Sequence, residues 1–516
     1  MQHPTTFATS VPDRAALIMG RGERMSFAEL DQRSKQVANL LWSRGLRAGD
    51  HLAVLLENRL EFFEAVWGGL RMGLYVTPIN WHLAPEEAAY IVEDCGASAL
   101  VASADLGPVL ARVGDGVSSP GPRHRFAVGG PADGYDDFSS LVAAESTSPA
   151  EEECEGSWML YSSGTTGRPK GIKPPTTGAP LGSPTSFVSL VSGLYGFGEG
   201  KVYLSPAPLY HAAPAGWTNA VHRLGGTAVI MERFDPRETL ALIEAHRVTH
   251  VQFVPTHLVR LLKLPESERR RFDLSSLEVV VHAAAPCPPE IKRATLDWLG
   301  PIVHEYYSGS EGVGFCAIGP EEWLAHPGSV GRSLLGAAHV VDEAGNELGA
   351  NEVGEIWFEG GQTFEYHGDA SQTAAAFDRR GWSSLGDMGM VDDEGYLYLT
   401  DRVTNMIISG GVNIYPREVE DVLVLHPRVV DVAVVGIPDP EMGEAVRAVV
   451  QIGDDGPGDQ AELERQLIDF CRERLSSFKC PRSVAFVDEL PRLPTGKLAK
   501  RLLSDAVLAP SAISER

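Results

Sequence analysis

The stretch His51–Ile79, HLAVLLENRLEFFEAVWGGLRMGLYVTPI, decides the fold class. His51 to Leu56 is a short apolar run that reads as a strand. Asn58 to Met72 reads as a helix closed by Gly73, and Tyr75 to Ile79 as the next strand. Strand, helix, strand at this spacing is a βαβ unit, which requires a parallel sheet and places the chain in the α/β class. Upstream, Ser26-Phe27-Ala28-Glu29 is a capping box that opens a helix with Leu30, Val37, Leu40 and Leu41 on one side, stopped by Gly45. Downstream the same alternation recurs around Ala99-Leu100-Val101, Thr227 to Met231 and His250 to Val254. Between Gly114 and Ala150 the composition turns to Gly, Pro, Ser and Asp, which predicts a surface connection rather than an element.

The chain has 516 residues, enough for several packed layers and more than one domain. Hydrophobic residues make up 43% and charged residues 22%, as in ordinary globular proteins. A net charge of −25 argues against nucleic-acid binding and against anionic membrane surfaces. The six cysteines are scattered with no C-x-x-C pair, so they read as reduced thiols that mostly fill core. Met1 to Arg14 has no signal-peptide pattern, and no stretch approaches the roughly 18 apolar residues of a membrane helix. The expectation is a cytoplasmic enzyme with no integral membrane segment.

The chemistry concentrates at Tyr161-Ser162-Ser163-Gly164-Thr165-Thr166-Gly167-Arg168-Pro169-Lys170-Gly171, after the apolar run Trp158-Met159-Leu160, which reads as a strand end. Small residues let backbone N–H groups approach phosphate oxygens, hydroxyls add donors, and Lys170 adds charge. The spacing does not fit the Walker phosphate loop. A zinc site at His246, His250 and His257 is rejected, because Val248 to Val254 is strand-like and no carboxylate completes a set. Gly312-Val313-Gly314-Phe315-Cys316-Ala317 spells a dinucleotide fingerprint, but Gly319-Pro320 follows at once and forbids the helix it needs.

SSGTTGRPKG resembles the signature of the adenylate-forming superfamily, which includes acyl-CoA synthetases, stand-alone adenylation domains and firefly luciferase. The resemblance covers essentially the whole chain with the motifs in family order. It implies that Ser162, Ser163, Gly164, Thr165, Thr166, Gly167 and Lys170 hold the β and γ phosphates of ATP. Leu204 to His211 is similar to a P-x-F/Y-H segment that borders the acyl pocket. Ala283-Ala284-Ala285-Pro286 is similar to a turn beside adenine, with the family's first glycine absent. Tyr306-Tyr307-Ser308-Gly309-Ser310-Glu311 resembles the Y-G-x-T-E motif; it implies that Tyr307 stacks on adenine, Ser310 stands for Thr, and Glu311 holds magnesium. Leu385-Gly386-Asp387 and Asp401-Arg402 imply ribose and nucleotide contacts from Asp387 and Arg402. A Pro/Gly-rich stretch, Pro174 to Pro180, stands where many relatives carry a His-x-Asn-like segment.

By the same resemblance residues 1–402 form a large multi-subdomain N-terminal domain with parallel or mixed sheets flanked by helices. Residues 403–516 form a small mobile α+β domain, with a hinge at Arg402 to Thr404 where relatives often carry Asp or Lys in place of Thr404. Asp431 to Ile437 and Ala445 to Ile452 read as strands there, Glu462 to Leu475 as a helix, and Pro416 as a helix start. Gly410 and Gly411 of SGGVNIYPRE would line a pantetheine tunnel, and Lys497 of Pro494-Thr495-Gly496-Lys497 would enter the site for adenylation. The implied catalytic set is Lys497, Glu311 and Thr166, with His211, Trp217, Gly312 and Gly314 shaping the acid pocket. The glycines after Glu311 are expected to leave room for a bulky apolar acid. The implied activity is an AMP-forming acyl-CoA synthetase that uses ATP, Mg2+ and coenzyme A on a small-molecule carboxylic acid, with medium- or long-chain fatty acids first. The alternative is a stand-alone ligase that loads an aryl or fatty acid onto a separate carrier protein, since no fused carrier segment is present. A homodimer is left open.

Overall fold

The computed structural model describes residues 2–115, 121–162, 169–175, 178–402, 406–409, 412–439, 442–453, 456, 458–492, 498, 500–503 and 507. They divide into two units: residues 1–253, 264–281 and 363–375, and residues 254–263, 282–362 and 376–516.

The first unit contains the βαβ unit expected from its sequence. Strands His51–Leu55 and Tyr75–Pro78 are parallel neighbours, joined through the helix Leu60–Arg71. They sit in a six-stranded sheet, wholly parallel, that also holds Ala99–Ser103, His124–Val128, Asp136–Asp137 and Ser157–Trp158. Its apolar face is covered by the helices Pro85–Asp94 and Gly107–Asp115, so Leu100, Ala102, Val92 and Leu110 become core. Burial on both faces explains why these strands read as continuous apolar runs. The capping box at Ser26 is formed: Ser26 Oγ accepts from the Glu29 amide at 3.2 Å and Glu29 Oε2 from the Ser26 amide at 2.7 Å. It opens the helix Phe27–Ser43, and Gly45 with φ +89° follows its end.

The segment read as a surface connection, residues 114–150, is not one. It contributes the strand His124–Val128, which pairs in parallel with Ala99–Ser103, and the helix Phe138–Ala144. Phe126, Ala127, Val128 and Phe138 are buried. Glycines and prolines on either side dominate the composition and hide a short apolar strand one position in from the sheet's edge. The run Trp158-Met159-Leu160 is also not one strand. Ser157–Trp158 pairs with Tyr75–Pro78, whereas Leu160–Ser162 joins a separate antiparallel sheet with Lys170–Lys173 and Glu365–Tyr366. Met159, fully buried, is the switch between the two.

A second sheet of this unit orders Arg24–Ser26, Ala15–Met19, Thr227–Ile230, Val202–Ser205 and His250–Phe253. The second unit carries an antiparallel run of strands in the order Ala337–Val341, Gly354–Glu359, Ser383–Val391, Leu397–Arg402, Ser329–Leu335, Phe315–Ile318, Val303–Ser308. Phe315–Ile318 is a strand where the dinucleotide fingerprint would need a helix. The C-terminal part of this unit builds its own sheet from Ile407–Ser409, Val412–Ile414, Val429–Asp439, Gly443–Ile452 and Ser483–Val487. The helices Pro416–Leu423 and Gln460–Arg472 pack on it through Val419, Leu423, Leu463 and Leu467, and Pro416 occupies the first helical position as expected.

Candidate active site

In the first unit the hairpin Leu160–Ser162 / Lys170–Lys173 sets Ser162 opposite Lys170. The stem is clamped on both sides of the loop. Tyr161 Oη donates to Asp94 Oδ2 at 2.5 Å, and Tyr90 Oη donates to the Pro169 carbonyl at 3.4 Å. Burial and the neighbouring Asp94 push the Tyr161 phenol far above its ordinary range, so it stays a donor. Lys170 Nζ lies 5.0 Å from the ring centroid of Tyr366. Ser163, Gly164, Thr165, Thr166 and Gly167 lie outside the described residues, as does the side chain of Ser162.

His211 occupies the N-cap position of the helix Ala212–Arg223 without a side-chain capping bond, next to Tyr210 at a ring distance of 4.4 Å. Sequence reading missed what holds this segment. Asn58, taken as a helix residue, precedes the helix and is buried; its amide donates to the carbonyls of Met231 at 2.7 Å and Ala207 at 3.2 Å, and its Oδ1 accepts from the Leu209 amide at 2.9 Å. An Asn between a buried strand and a helix was the available signal. Trp217 is 1% exposed within a cluster of rings, with centroids 5.3 Å from Phe197, 5.4 Å from Tyr195 and 6.1 Å from Tyr203. His250 belongs to the same cluster, where its Nε2 bonds to the Tyr195 carbonyl at 2.7 Å, and this gives it a structural role.

In the second unit, strand Val303–Ser308 carries Tyr307, and Ser310 and Glu311 follow in the turn beyond it. Ser308 Oγ donates to the Gly314 carbonyl at 2.7 Å and ties that turn across its base. Gly309 is required by closeness: a Cβ there would stand 2.5 Å from Leu385 Cδ2 and 3.0 Å from Glu311 Oε2. Tyr307 Oη donates to Asp387 Oδ2 at 2.7 Å, so two residues expected at the nucleotide meet. Asp387 lies within the strand Ser383–Val391, opposite Arg402, whose side chain lies outside the described residues. Ala284 adopts φ +73°, a left-handed conformation that costs an L residue about 1–3 kcal/mol and that collects at functional turns. Ala285 and Pro286 complete that turn, and Pro286 is exposed.

Of the two glycines beyond Glu311, Gly314 does not leave room for a ligand in the way expected. A Cβ at Gly314 would stand 2.4 Å from Phe358 Cδ1, and one at Gly312 would stand 3.1 Å from Gln362 Oε1. Phe358 is 1% exposed, so the space that Gly314 opens is filled by protein. Thr404, Gly410, Gly411 and Lys497 lie outside the described residues. All six cysteines are free, five of them buried. Among the described residues no helix is long and apolar enough to cross a membrane.

Residues 5–366 match the family model described as AMP-binding enzyme, and residues 418–497 match the AMP-binding enzyme C-terminal domain. The long-chain-fatty-acid–CoA ligase FadD13 of Mycobacterium tuberculosis is 30% identical over 487 residues, covering 93% of each chain. The 2-succinylbenzoate–CoA ligase of Bacillus licheniformis is 32% identical over 513 residues, covering 98% of this chain and 100% of that one. Among solved structures, ATP-bound MatB from Rhodopseudomonas palustris superposes with a TM-score of 0.78 at 26% identity, covering 98% of this chain and 99% of that chain. The chain therefore belongs to the AMP-binding enzyme family, as an AMP-forming acid–thiol ligase of the adenylate-forming superfamily.

Proposed function

We propose that this enzyme activates a medium- or long-chain fatty acid, or another bulky apolar acid, with ATP and then passes the acyl group to coenzyme A. The Tyr307–Asp387 bond carries the nucleotide half of the reading, because it brings an aromatic face and a charged acceptor together beside the Glu311 turn. The match to a long-chain-fatty-acid ligase over 93% of both chains supports the acid class.

In the proposed first step the substrate carboxylate attacks the α-phosphorus of ATP, forming acyl-adenylate and releasing pyrophosphate. In the second the coenzyme A thiol attacks the acyl carbon and AMP leaves. Two anions must converge in the first step, so the site needs positive charge where they meet; Lys497 supplies it from the C-terminal domain, and Lys170 and the Ser163–Gly167 loop hold the leaving phosphates. Asp387 and Arg402 fix the ribose, and Tyr307 with Ala284, Ala285 and Pro286 holds adenine. His211 and Trp217, with Gly312, border the acid. Glu311 and the adjacent Ser310 are hard oxygen donors in one turn, a set that fits a magnesium ion completed by phosphates and water. Bound there, magnesium would supply charge neutralisation on the ATP phosphates. Lys497 and the Gly410–Gly411 stretch cannot serve both steps in one orientation. We therefore assign residues 1–402 and 403–516 as domains that reorient about Arg402 to Thr404 between steps.

The test is pyrophosphate release with ATP and magnesium over a carboxylate panel, with and without coenzyme A. Turnover that needs both a fatty acid and coenzyme A is the expected result. Release limited to about one equivalent and indifferent to coenzyme A would move the acceptor to a carrier protein. Turnover confined to aryl acids would overturn the fatty-acid assignment.

A further inference from the structure

Three side chains buried in the second unit meet at one carboxylate. Glu305 Oε2 accepts from Lys292 Nζ at 2.6 Å, and His282 Nε2 lies 3.5 Å from the same oxygen. Lys292 and His282 are 0% exposed and Glu305 is 6% exposed. Neither ring nitrogen of His282 has a hydrogen-bond partner. Burial drives all three toward neutrality: it lowers Lys292 and His282 and raises Glu305, while the Lys292–Glu305 bond resists for that pair. An apolar pair of similar volume would stabilise such a core about as well, so stability alone does not account for the ion pair.

Placement does. His282 is the last residue of the strand Val279–His282, and the turn Ala283 to Pro286 follows it directly. Lys292 stands in the first turn of the helix Pro289–Leu299, which leaves that turn. Glu305 lies two residues before Tyr307 on the strand Val303–Ser308, and the period of two puts them on one face. The helix leaving the turn is thus fastened by Lys292 to the carboxylate of the tyrosine's strand, and His282, at the end of the strand entering the turn, packs within 3.5 Å of the same oxygen. Lys292 Nζ also lies over the ring of Trp323, 4.8 Å from its centroid.

We propose that Lys292 and Glu305 are positioning residues that set the gap between the Ala284–Pro286 turn and Tyr307, and thereby the affinity for the adenine ring of ATP. The proposal rests on the reading that this turn and Tyr307 hold adenine. Neither residue is among those assigned to border the acid, so the effect is expected on ATP alone.

The test uses the full chain and the variants Lys292→Met, Glu305→Gln and the double variant K292M/E305M, with Tyr307→Ala as reference. KM for ATP and KM for the acid are measured separately, and ATP binding is measured by titration calorimetry without acid. The expected result is a KM for ATP raised about tenfold with kcat at saturating ATP within about twofold and the KM for acid unchanged. The double variant removes both charges together, so it keeps one cooperative unfolding transition while ATP affinity stays low. Wild-type ATP affinity in the double variant, with Tyr307→Ala weakened, would overturn the positioning role alone. A parallel rise in both KM values would do the same. Wild-type ATP affinity in Tyr307→Ala would overturn the adenine reading and this proposal with it.

Discussion

Tyr307 Oη donates to Asp387 Oδ2 at 2.7 Å although three other strands separate theirs in the sheet order. In a flat sheet four steps of strand spacing would put them roughly 19 Å apart. The sheet therefore curls, and the bond closes across its concave face. A nucleotide whose ribose hydroxyls use Asp387 must share that carboxylate with Tyr307. The predicted outcome is asymmetric. Tyr307→Phe removes one neutral donor and keeps the ring, so ATP Kd should change by no more than about threefold, whereas Asp387→Asn should weaken it by about 10–100-fold, because it loses a charged acceptor. Titration calorimetry reads both. A larger loss for Tyr307→Phe than for Asp387→Asn would remove the ribose role from Asp387.

Lys497 carries the second prediction. Removing one preorganised charge from a site where two anions converge costs on the order of 100-fold or more. Lys497→Ala should lose that much in acid-dependent pyrophosphate release. Thioester formation from acyl-adenylate supplied preformed should stay within about threefold, since the proposed reorientation withdraws the lysine for that step. Equal loss in the two assays would sink the division of labour between domain orientations.

What could be read from the sequence was local. The Tyr307 to Glu311 motif, the capping box at Ser26 and the helix start at Pro416 each need only a few neighbouring residues to declare themselves. The Tyr307–Asp387 bond joins residues 80 apart and depends on sheet curvature that no periodicity encodes. Asn58 likewise bonds to Ala207, Leu209 and Met231, so its role exists only once two βα layers have packed. The strand at His124–Val128 was hidden for the opposite reason: it is short, and its surroundings are rich in turn formers. Gly314 shows how a motif neighbour misleads. Its missing side chain looks like substrate space, and the structure spends it on Phe358.

That last contact is directly testable. A methyl group at residue 314 would meet Phe358 Cδ1 at 2.4 Å, and Phe358 is too buried to swing aside. Gly314→Ala should therefore cost about 1–3 kcal/mol of stability, as overpacked cores do. Thermal unfolding would show the loss, and the double variant G314A/F358L should recover a good part of it. An unshifted midpoint in Gly314→Ala, with a changed acid preference, would return the glycine to the substrate pocket.

The final prediction concerns acid stability and rests on His222. Trp67 Nε1 donates to His222 Nδ1 at 3.2 Å, so Nδ1 is the acceptor and the proton sits on Nε2, which donates to the Ala16 carbonyl at 3.1 Å. Complete burial lowers its pKa to about 4, with the Ala16 bond opposing. In the unfolded chain the same imidazole titrates near its ordinary value of about 6.5. Between these values the unfolded state holds more protons, so stability is fully present above about pH 6.5 and falls as pH drops toward 4, at no more than about 1.4 kcal/mol per pH unit for this group. His51, lowered to about 4, and His257, lowered to about 3, add in the same direction. Carboxylates raised by burial, such as Glu64, act the other way, so the comparison must isolate His222. His222→Gln keeps a neutral donor and acceptor at the site. The wild type should lose stability relative to this variant from pH 6.5 to pH 4, read as a shrinking difference in denaturant midpoint. A constant difference across that window would mean that His222 does not take up a proton on unfolding.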